Sequence, residues 1–283
     1  MKIAVVVPGG VDRSGEIRVV PALLALLERL AARHEVHVFA LWQEPQRASW
    51  WLCGARVHNI AASRGPLGWA QALWALRREH GRGRFDLVQM IWAGAAGVVG
   101  VAAARWLGLP SAVHVAGGEL VALADIGYGG RLTRRGRWRE AWVLRHADRL
   151  TAASAPVLAQ LAALGHEAQR LPLGVDLGRW PPQAPRLRPA GQPLRLVQLA
   201  SLNRVKDLAL LLRALSRVPA VALDVIGEDT LGGEMQALAR QLGLADRVRF
   251  HGFLTQAALQ PVLARAHVCV VSSRHEAGPL AVL

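Results

Sequence analysis

The chain has 283 residues, of which 52% are hydrophobic, so it can bury the cores of about two domains and is not an intrinsically disordered protein. Its formal net charge of +14 comes from 32 arginines and 2 lysines against 20 acidic residues. This surplus favours an anionic partner such as nucleotide phosphates, acidic lipid head groups or nucleic acid, although no nucleic-acid-binding motif accompanies it. The two cysteines, Cys53 and Cys269, lack metal-ligand spacing and are typical of free thiols in a reducing cytoplasm.

Short apolar runs alternate with amphipathic stretches over residues 1–179. Helical periodicity is clear over Val19–Ala32, where leucines at positions 23, 26, 27 and 30 share one face. Continuous apolar runs are typical of strands buried on both faces of a parallel sheet. We therefore predict a doubly wound, Rossmann-like α/β domain. The predicted strands are Ile3–Val7, Val36–Leu41, Leu87–Ile91, Ala112–Val115 and Arg149–Ala153.

One segment of this domain has the length of a membrane span. Residues Leu87–Ala104 carry no charge over 18 positions, which is the threshold for a transmembrane helix. The segment nevertheless contains three glycines and divides at Trp92–Gly94. We predict a buried strand, a tight turn and a helix instead.

A proline-rich stretch, residues 180–193, is interpreted as an interdomain linker. A second series of strands and helices follows over residues 194–283 and predicts another Rossmann-like domain, shorter than usual. Because the last residues resemble the start of a helix, we expect the chain to be truncated, poorly soluble and nearly inactive by itself. The predicted strands are Leu196–Leu199, Ala222–Ile226, Val248–Phe250 and Val268–Val271, and the predicted helices are Asp207–Ser216, Glu234–Leu242 and Ala257–Ala264.

Three loops are candidates for chemistry. The first turn, residues 8–15, contains Gly9 and Gly10 and lets backbone amides approach a ligand, although its spacing matches no dinucleotide fingerprint. The loop over residues 200–207 follows a strand and opens a helix, so an anion can meet its amides, Arg204 and Lys206. The loop over residues 272–279 places Glu276 at the carboxyl end of a strand, where parallel sheets bind ligands.

The order of several motifs resembles a known family. Gly174–Asp176, Asn203–Lys206, Gly227–Asp229, Arg247–Phe253 and the Glu276 loop follow one another along the chain. Together they resemble family four of the retaining glycosyltransferases over essentially all 283 residues. The resemblance implies the GT-B fold, in which two Rossmann-like domains face each other across a cleft.

The resemblance also implies a donor site in the second domain. Glu276 matches the first of two family glutamates, and the second would fall one place beyond Leu283. Lys206 matches the family lysine, whereas Ser201 stands where the family has arginine, so that Arg204 is its candidate substitute. With Glu276 and Lys206 as catalytic candidates, the implied donor-binding residues are Arg204, Asn203, Ser201, Gly278, Glu228 and Phe253.

On the acceptor side, Gly9 and Gly10 match the glycine-rich loop of the family. The segment from His114 to Glu119 resembles the segment with the active-site histidine, in one of two registers. In one register His114 is catalytic; in the other, which aligns Gly117 with the family glycine, Ala116 takes that place and His114 is an ordinary strand residue. Gly117, Gly118 and Glu119 belong to the implied acceptor and phosphate loop.

The stretch Arg131–Arg149 contains seven arginines, with Trp138 and Trp142 four residues apart. Such a basic amphipathic helix can lie on anionic lipid, or it can be a solvated helix whose tryptophans face the core. The first alternative fits the family members that act on lipid-linked acceptors, and the second remains open. The preceding loop, residues 125–130, contains the single tyrosine and is predicted to lie on the acceptor side.

The sequence therefore predicts transfer of a hexose-type sugar from a nucleoside-diphosphate sugar to a lipid-linked or polysaccharide acceptor, with retention of configuration. The expected enzyme needs neither cofactor nor metal and is cytoplasmic, with peripheral contact to the inner face of the membrane. One alternative is a basic membrane-associated nucleotide-binding module, or a degenerate relative, without turnover. A nicotinamide-dependent oxidoreductase is less favoured, because its glycine fingerprint and the acidic residue after the second strand are not evident.

Overall fold

The computed structural model describes residues 1–63, 65–184 and 186–282. The chain divides into two compact units, Met1–Asp176 and Leu177–Leu283. Each unit is built from strands that alternate with helices.

The first unit has a single twisted sheet between helices. Its strand order is β3-β4-β2-β1-β5-β6-β7-β8, so the chain starts at the centre of the sheet and winds outward in both directions. The strands are β1 (Lys2–Val7), β2 (Glu35–Ala40), β3 (Ala48–Leu52), β4 (Ala55–Asn59), β5 (Leu87–Ile91), β6 (Ser111–Val115), β7 (Arg149–Ala152) and β8 (Gln169–Arg170). The helices are α1 (Pro21–Ala31), α2 (Pro66–Arg82), α3 (Ala95–Leu107), α4 (Arg134–His146) and α5 (Ala155–Ala163).

The edge of this sheet corrects the prediction of a purely parallel sheet. Strands β3 and β4 form an antiparallel hairpin, whereas β4 pairs with β2 in parallel. The hairpin turn consists of Cys53 and Gly54, which have φ angles of 50° and 75°. Two positive φ angles suit a tight hairpin turn, but cysteine is not one of the residues that mark such a turn in a sequence. The hairpin was therefore missed.

The uncharged segment from residue 87 to 104 folds as predicted. Strand β5 ends at Ile91, the chain turns at Trp92–Gly94, and α3 begins at Ala95. Most residues of α3 are buried against β5 and α4. Among the described residues, no helix combines the length and the apolar character needed to cross a bilayer.

The second unit has an all-parallel sheet in the order β11-β10-β9-β12. Its strands and helices occur where the sequence predicts them, except that the last strand is two residues long. The described residues between Leu171 and Pro193 form neither helix nor strand. The elements are β9 (Leu194–Leu199), α6 (Leu208–Ser216), β10 (Val221–Ile226), α7 (Glu234–Gln241), β11 (Val248–Gly252), α8 (Gln256–Leu263) and β12 (Val268–Cys269).

Candidate active site

In the second unit, the loop after β9 is held in shape by its own side chains. The Asn203 side chain accepts a hydrogen bond from the Lys206 amide at 3.2 Å, which closes a short 3-10 turn over residues 204–206. Asp207 then accepts from the Leu210 amide at 3.2 Å and caps the start of α6. Lys206 is thus fixed at the carboxyl end of the sheet, just before a helix N-terminus.

Lys206 forms an ion pair with Glu276 in this unit. The Nζ atom of Lys206 lies 2.5 Å from Oε1 of Glu276, and both side chains are about three quarters buried. Behind them, the Ser272 hydroxyl donates to the Lys206 carbonyl at 2.8 Å, and the buried Gln198 side chain donates to Ser272. These contacts join the loop after β9 to the loop after β12, so the cation and the carboxylate are brought together by the fold.

The loop after β10 approaches the same edge very closely. Gly227 has φ of +149°, and a Cβ atom there would lie 2.0 Å from the Ala200 carbonyl oxygen, so only glycine fits. The neighbouring Glu228 carbonyl accepts from the Leu202 amide at 2.8 Å. Asp229 accepts from the amides of residues 231 and 233, and these backbone hydrogen bonds, that of residue 231 foremost, lower its pKa. The three loops therefore form one polar rim.

The other predicted donor residues lie around this rim but do not all join the ion pair. Arg204 is exposed and its guanidinium lies 3.6 Å from Glu234 of α7. Ser201 and Glu228 are exposed, and Phe253 is 49% exposed. Gly278 is half-buried in the loop after β12. Of the two predicted cations, Arg204 therefore pairs with Glu234, whereas Lys206 forms the ion pair with Glu276.

In the first unit, the Gly9–Gly10 turn has an occupant that the sequence analysis missed. Oε1 of Gln43 accepts hydrogen bonds from the amides of Gly10 and Val11, at 2.7 and 2.9 Å. The backbone N–H of Gln43 in turn donates to the Asn59 side-chain oxygen at 3.1 Å. The expectation that these turn amides face a ligand is therefore corrected for Gly10 and Val11. A glutamine three residues after a strand gives no signal in the sequence.

Glu119 connects two loops at the carboxyl edge of this sheet. One carboxylate oxygen accepts from the Gly117 amide at 2.7 Å, and the other accepts from the Ala93 amide at 3.3 Å. These amides belong to the loops after β6 and β5, which are neighbouring strands. Burial raises the pKa of Glu119, and the backbone amides oppose this shift by favouring the charged form.

Gly118 packs closely against the ring of Tyr128. A Cβ atom at Gly118 would lie 2.5 Å from the Tyr128 ring, and the Gly118 carbonyl accepts from the Gly130 amide at 2.8 Å. The loop with the single tyrosine is thus anchored to the loop after β6. The structure therefore places Gly117, Gly118 and Glu119 together at one edge of the first unit.

Comparison with known families identifies the chain. Residues 19–174 match the family described as a glycosyl transferase 4-like domain, and residues 183–283 match the family described as glycosyl transferases group 1. The first match alone covers more than half of the chain. The chain belongs to the glycosyl transferase 4-like family.

Its relatives include a glycogen synthase from Mycobacterium tuberculosis, 29% identical over 155 residues. This match covers 52% of the chain and 37% of the relative, so the chain matches well under half of that protein. Among solved structures, a sucrose-phosphate synthase from Thermosynechococcus elongatus has a TM-score of 0.78 at 19% identity, over 99% of this chain and 77% of its own. HepE from Anabaena, in complex with UDP and glucose, has a TM-score of 0.70 at 18% identity. That match covers 98% of this chain and 76% of HepE. These similarities show the GT-B type of fold.

His114 lies in the core of the family domain. It belongs to β6, is 2% exposed, and its Nδ1 lies 2.9 Å from the Thr151 hydroxyl. Burial lowers the pKa of His114 to about 4. This burial argues against direct contact between His114 and a substrate, and it agrees with the register in which His114 is an ordinary strand residue.

We expect the buried His114 to make the protein less stable in acid. Because its folded pKa of about 4 lies below the unfolded value of 6.5, the unfolded chain binds the extra proton, and stability falls as the pH drops from 6.5 to 4. The loss is up to about 3 kcal/mol. Urea unfolding of the wild type and of His114→Gln at several pH values measures this loss. The unfolding free energy of the variant should depend less on pH between about 6.5 and 4 than that of the wild type. The same pH dependence in both proteins would refute burial of a neutral imidazole. His166→Gln is the matched control.

Proposed function

We propose that the chain is the catalytic part of a retaining glycosyltransferase that uses a nucleoside-diphosphate sugar. The ion pair between Lys206 and Glu276 is the observation that supports it most directly. It puts a fixed cation and a largely buried carboxylate at the carboxyl edge of a parallel sheet, which is where such sheets bind ligands. HepE, which shares the fold, was solved with UDP and glucose and with UDP-glucose.

In the proposed reaction, the bond between the sugar and the diphosphate breaks and negative charge grows on the departing phosphate. The Lys206 ammonium stabilises this charge, together with backbone amides before α6. Glu276 accepts hydrogen bonds from hydroxyl groups of the sugar and orients the ring. Since Lys206 supplies the cation, we propose that the transfer requires no metal ion at this site.

The acceptor is proposed to bind to the first unit, beside Gly117 and Glu119. Glu119 would act there as a positioning residue, since both of its oxygens hold backbone amides. A lipid-linked or polysaccharide acceptor is the class that we propose. The full-length protein is incubated with donor and acceptor, and NMR of the sugar that it transfers identifies the linkage. An anomeric bond that is axial in both the donor and the product supports retention, and an equatorial bond in the product would refute it.

Three helices of the first unit also carry an exposed tryptophan surface. Helix α3 contacts both α2 and α4. The surface consists of Leu67 (69% exposed) and Trp74 (64%) on α2, Trp106 (47%) on α3 and Trp138 (62%) on α4. Trp138 is thus the solvent-facing member of the predicted pair, whereas Trp142 is half-buried and stacks on His146.

Arginines accompany these indole rings. Trp74 and Trp106 meet edge to face at 5.7 Å, and the Arg77 guanidinium lies 4.8 Å from the Trp106 ring centre. The Arg139 guanidinium lies 5.1 Å from the ring of Trp69, which joins α4 to α2. Tryptophan and arginine together suit the interface of an anionic bilayer, where the rings enter the head-group layer and the charges meet phosphates. We propose that this surface rests on such a membrane.

Removing the tryptophan surface is expected to weaken vesicle binding about tenfold or more. The triple variant Trp74→Ala, Trp106→Ala, Trp138→Ala should sediment less with phosphatidylglycerol-rich vesicles than the wild type. Trp51→Ala, which is 69% exposed on β3, is the matched control and should bind normally. Equal binding of all three proteins would contradict the proposed surface.

The principal alternative is a membrane-associated nucleotide-binding module without turnover. It predicts intact binding to anionic vesicles and no release of nucleoside diphosphate from any common donor. The absence of arginine at Ser201 is the feature that favours it. Assay of the full-length gene product with several donors, UDP-glucose first, separates the two functions.

A further inference from the structure

Three buried side chains meet on one face of the first sheet, away from the loops described above. His37 lies on β2, His58 on β4 and Glu79 on α2, which covers this part of the sheet. Their exposed fractions are 7%, 7% and 6%. No metal-ligand spacing is evident along the chain, because the three residues belong to different elements. Buried polar groups of this kind require partners.

The three side chains are close enough for one ion. One ligand atom from each lies within 4.8 Å of the other two, and Nδ1 of His37 is 2.9 Å from Nε2 of His58. Two ligands that each lie about 2.1 Å from the same zinc ion are at most about 4.2 Å apart. An ion would replace the hydrogen bond between the two histidine nitrogens, and small rotations of both rings and of Glu79 would bring the three atoms to coordination distance.

The second ring nitrogen of each histidine is already held by a neighbouring side chain. Nε2 of His37 lies 3.0 Å from a carboxylate oxygen of Glu35, and Nδ1 of His58 lies 3.4 Å from the Ser49 hydroxyl. Metal-binding histidines characteristically use their second ring nitrogen in this way, because the outer contact fixes the ring and its tautomer. The two nitrogens that face each other are hydrogen-bonded to one another, and they are the ones that a metal would take.

Glu79 adds a carboxylate to this pair of imidazole rings. Its Oε1 accepts from Arg82 at 2.8 Å and lies 3.6 Å from Arg78. Both arginine side chains are about two thirds exposed, so their heads can move toward solvent when a cation enters. A carboxylate with two imidazoles is a ligand set that suits zinc.

An ion can reach this cluster from outside. His58 and Glu79 line a cavity of about 1010 Å³ between the β3–β4 hairpin and α2, together with Ser49, Gln71 and Trp74. The cavity leaves room for a water molecule as a fourth ligand. The geometry points to a zinc site formed by His37, His58 and Glu79, which would fasten the edge strands to α2. We propose this site in addition to the donor site, and it does not depend on the glycosyltransferase function.

Zinc binding to the metal-free chain tests the proposal. After chelator treatment and dialysis, titration with Zn²⁺ alone should give one site per chain and a higher thermal midpoint. His58→Gln and Glu79→Gln should each weaken binding at least about tenfold. His166→Gln, which changes a partly exposed histidine elsewhere in the first unit, should bind like the wild type.

Cobalt absorption of the wild type keeps the test valid if a variant fails to fold. Co²⁺ in a site with nitrogen and oxygen ligands gives visible d–d bands without a thiolate charge-transfer band. A thiolate band would place the ion on Cys53 or Cys269 and overturn the proposal. So would the absence of saturable zinc uptake, which would identify the cluster as a hydrogen-bonded network only, or equal uptake by wild type and variants.

Discussion

Replacing Lys206 with alanine is expected to lower the release of nucleoside diphosphate by about 10²–10³-fold in kcat. Lys206 is the cation that the fold holds against Glu276 at 2.5 Å. Without it, charge that develops on the leaving phosphate has no fixed positive partner, and Glu276 would be left facing that charge alone. The loss should therefore appear mainly in kcat rather than in KM.

Coupled assay of diphosphate release by the full-length gene product measures this effect. Arg213→Ala is the matched control, because it removes one positive charge from the exposed face of α6. It should retain wild-type rates. A Lys206→Ala enzyme with normal kcat would remove Lys206 from the mechanism, and an equal loss in both variants would indicate a general effect of charge.

Replacing Glu119 with alanine is expected to destabilise the first unit by about 2–4 kcal/mol. The carboxylate satisfies the buried amides of Ala93 and Gly117, and alanine leaves both without an acceptor. Because the two amides belong to different loops, the loops after β5 and β6 should also separate. Urea unfolding gives the stability, and hydrogen exchange of residues 92–94 and 116–119 reports the loops.

Glu119→Gln separates these effects. It keeps one oxygen acceptor but places an amide group against the second backbone N–H, so about half of the loss should remain. Glu167→Ala, at an exposed position of the same unit, serves as the control for lost negative charge. Unchanged stability and exchange in Glu119→Ala would show that these hydrogen bonds do not hold the loops.

The strands and helices of the second unit could be predicted because each strand is a short apolar run and each helix has a clear apolar face. Val221–Ile226 and Leu208–Ser216 are examples. The segment after Leu87 was also predictable, since its glycines divide it into a strand and a helix. Local patterns were sufficient wherever burial follows from one element and its period.

Features that depend on distant residues could not be predicted in this way. The Gly9–Gly10 turn indicated free amides, but Gln43 fills it from more than thirty positions away. His114 lies in a motif that resembles an active site, and only its place within β6 shows that it is buried. The meeting of His37 with Glu79 depends on how α2 packs against the sheet. In each case, tertiary contacts decide what a local pattern cannot.

The contact between Lys206 and Glu276 has a consequence for the cost of donor binding. A free lysine side chain has rotational freedom worth about 1.5–2 kcal/mol, which an interaction partner must restrict. Here Glu276 already holds the ammonium group of Lys206, and Ser272 holds the backbone carbonyl of the same residue. Most of that entropy is therefore lost when the chain folds, and the arriving diphosphate meets a cation that is already in position.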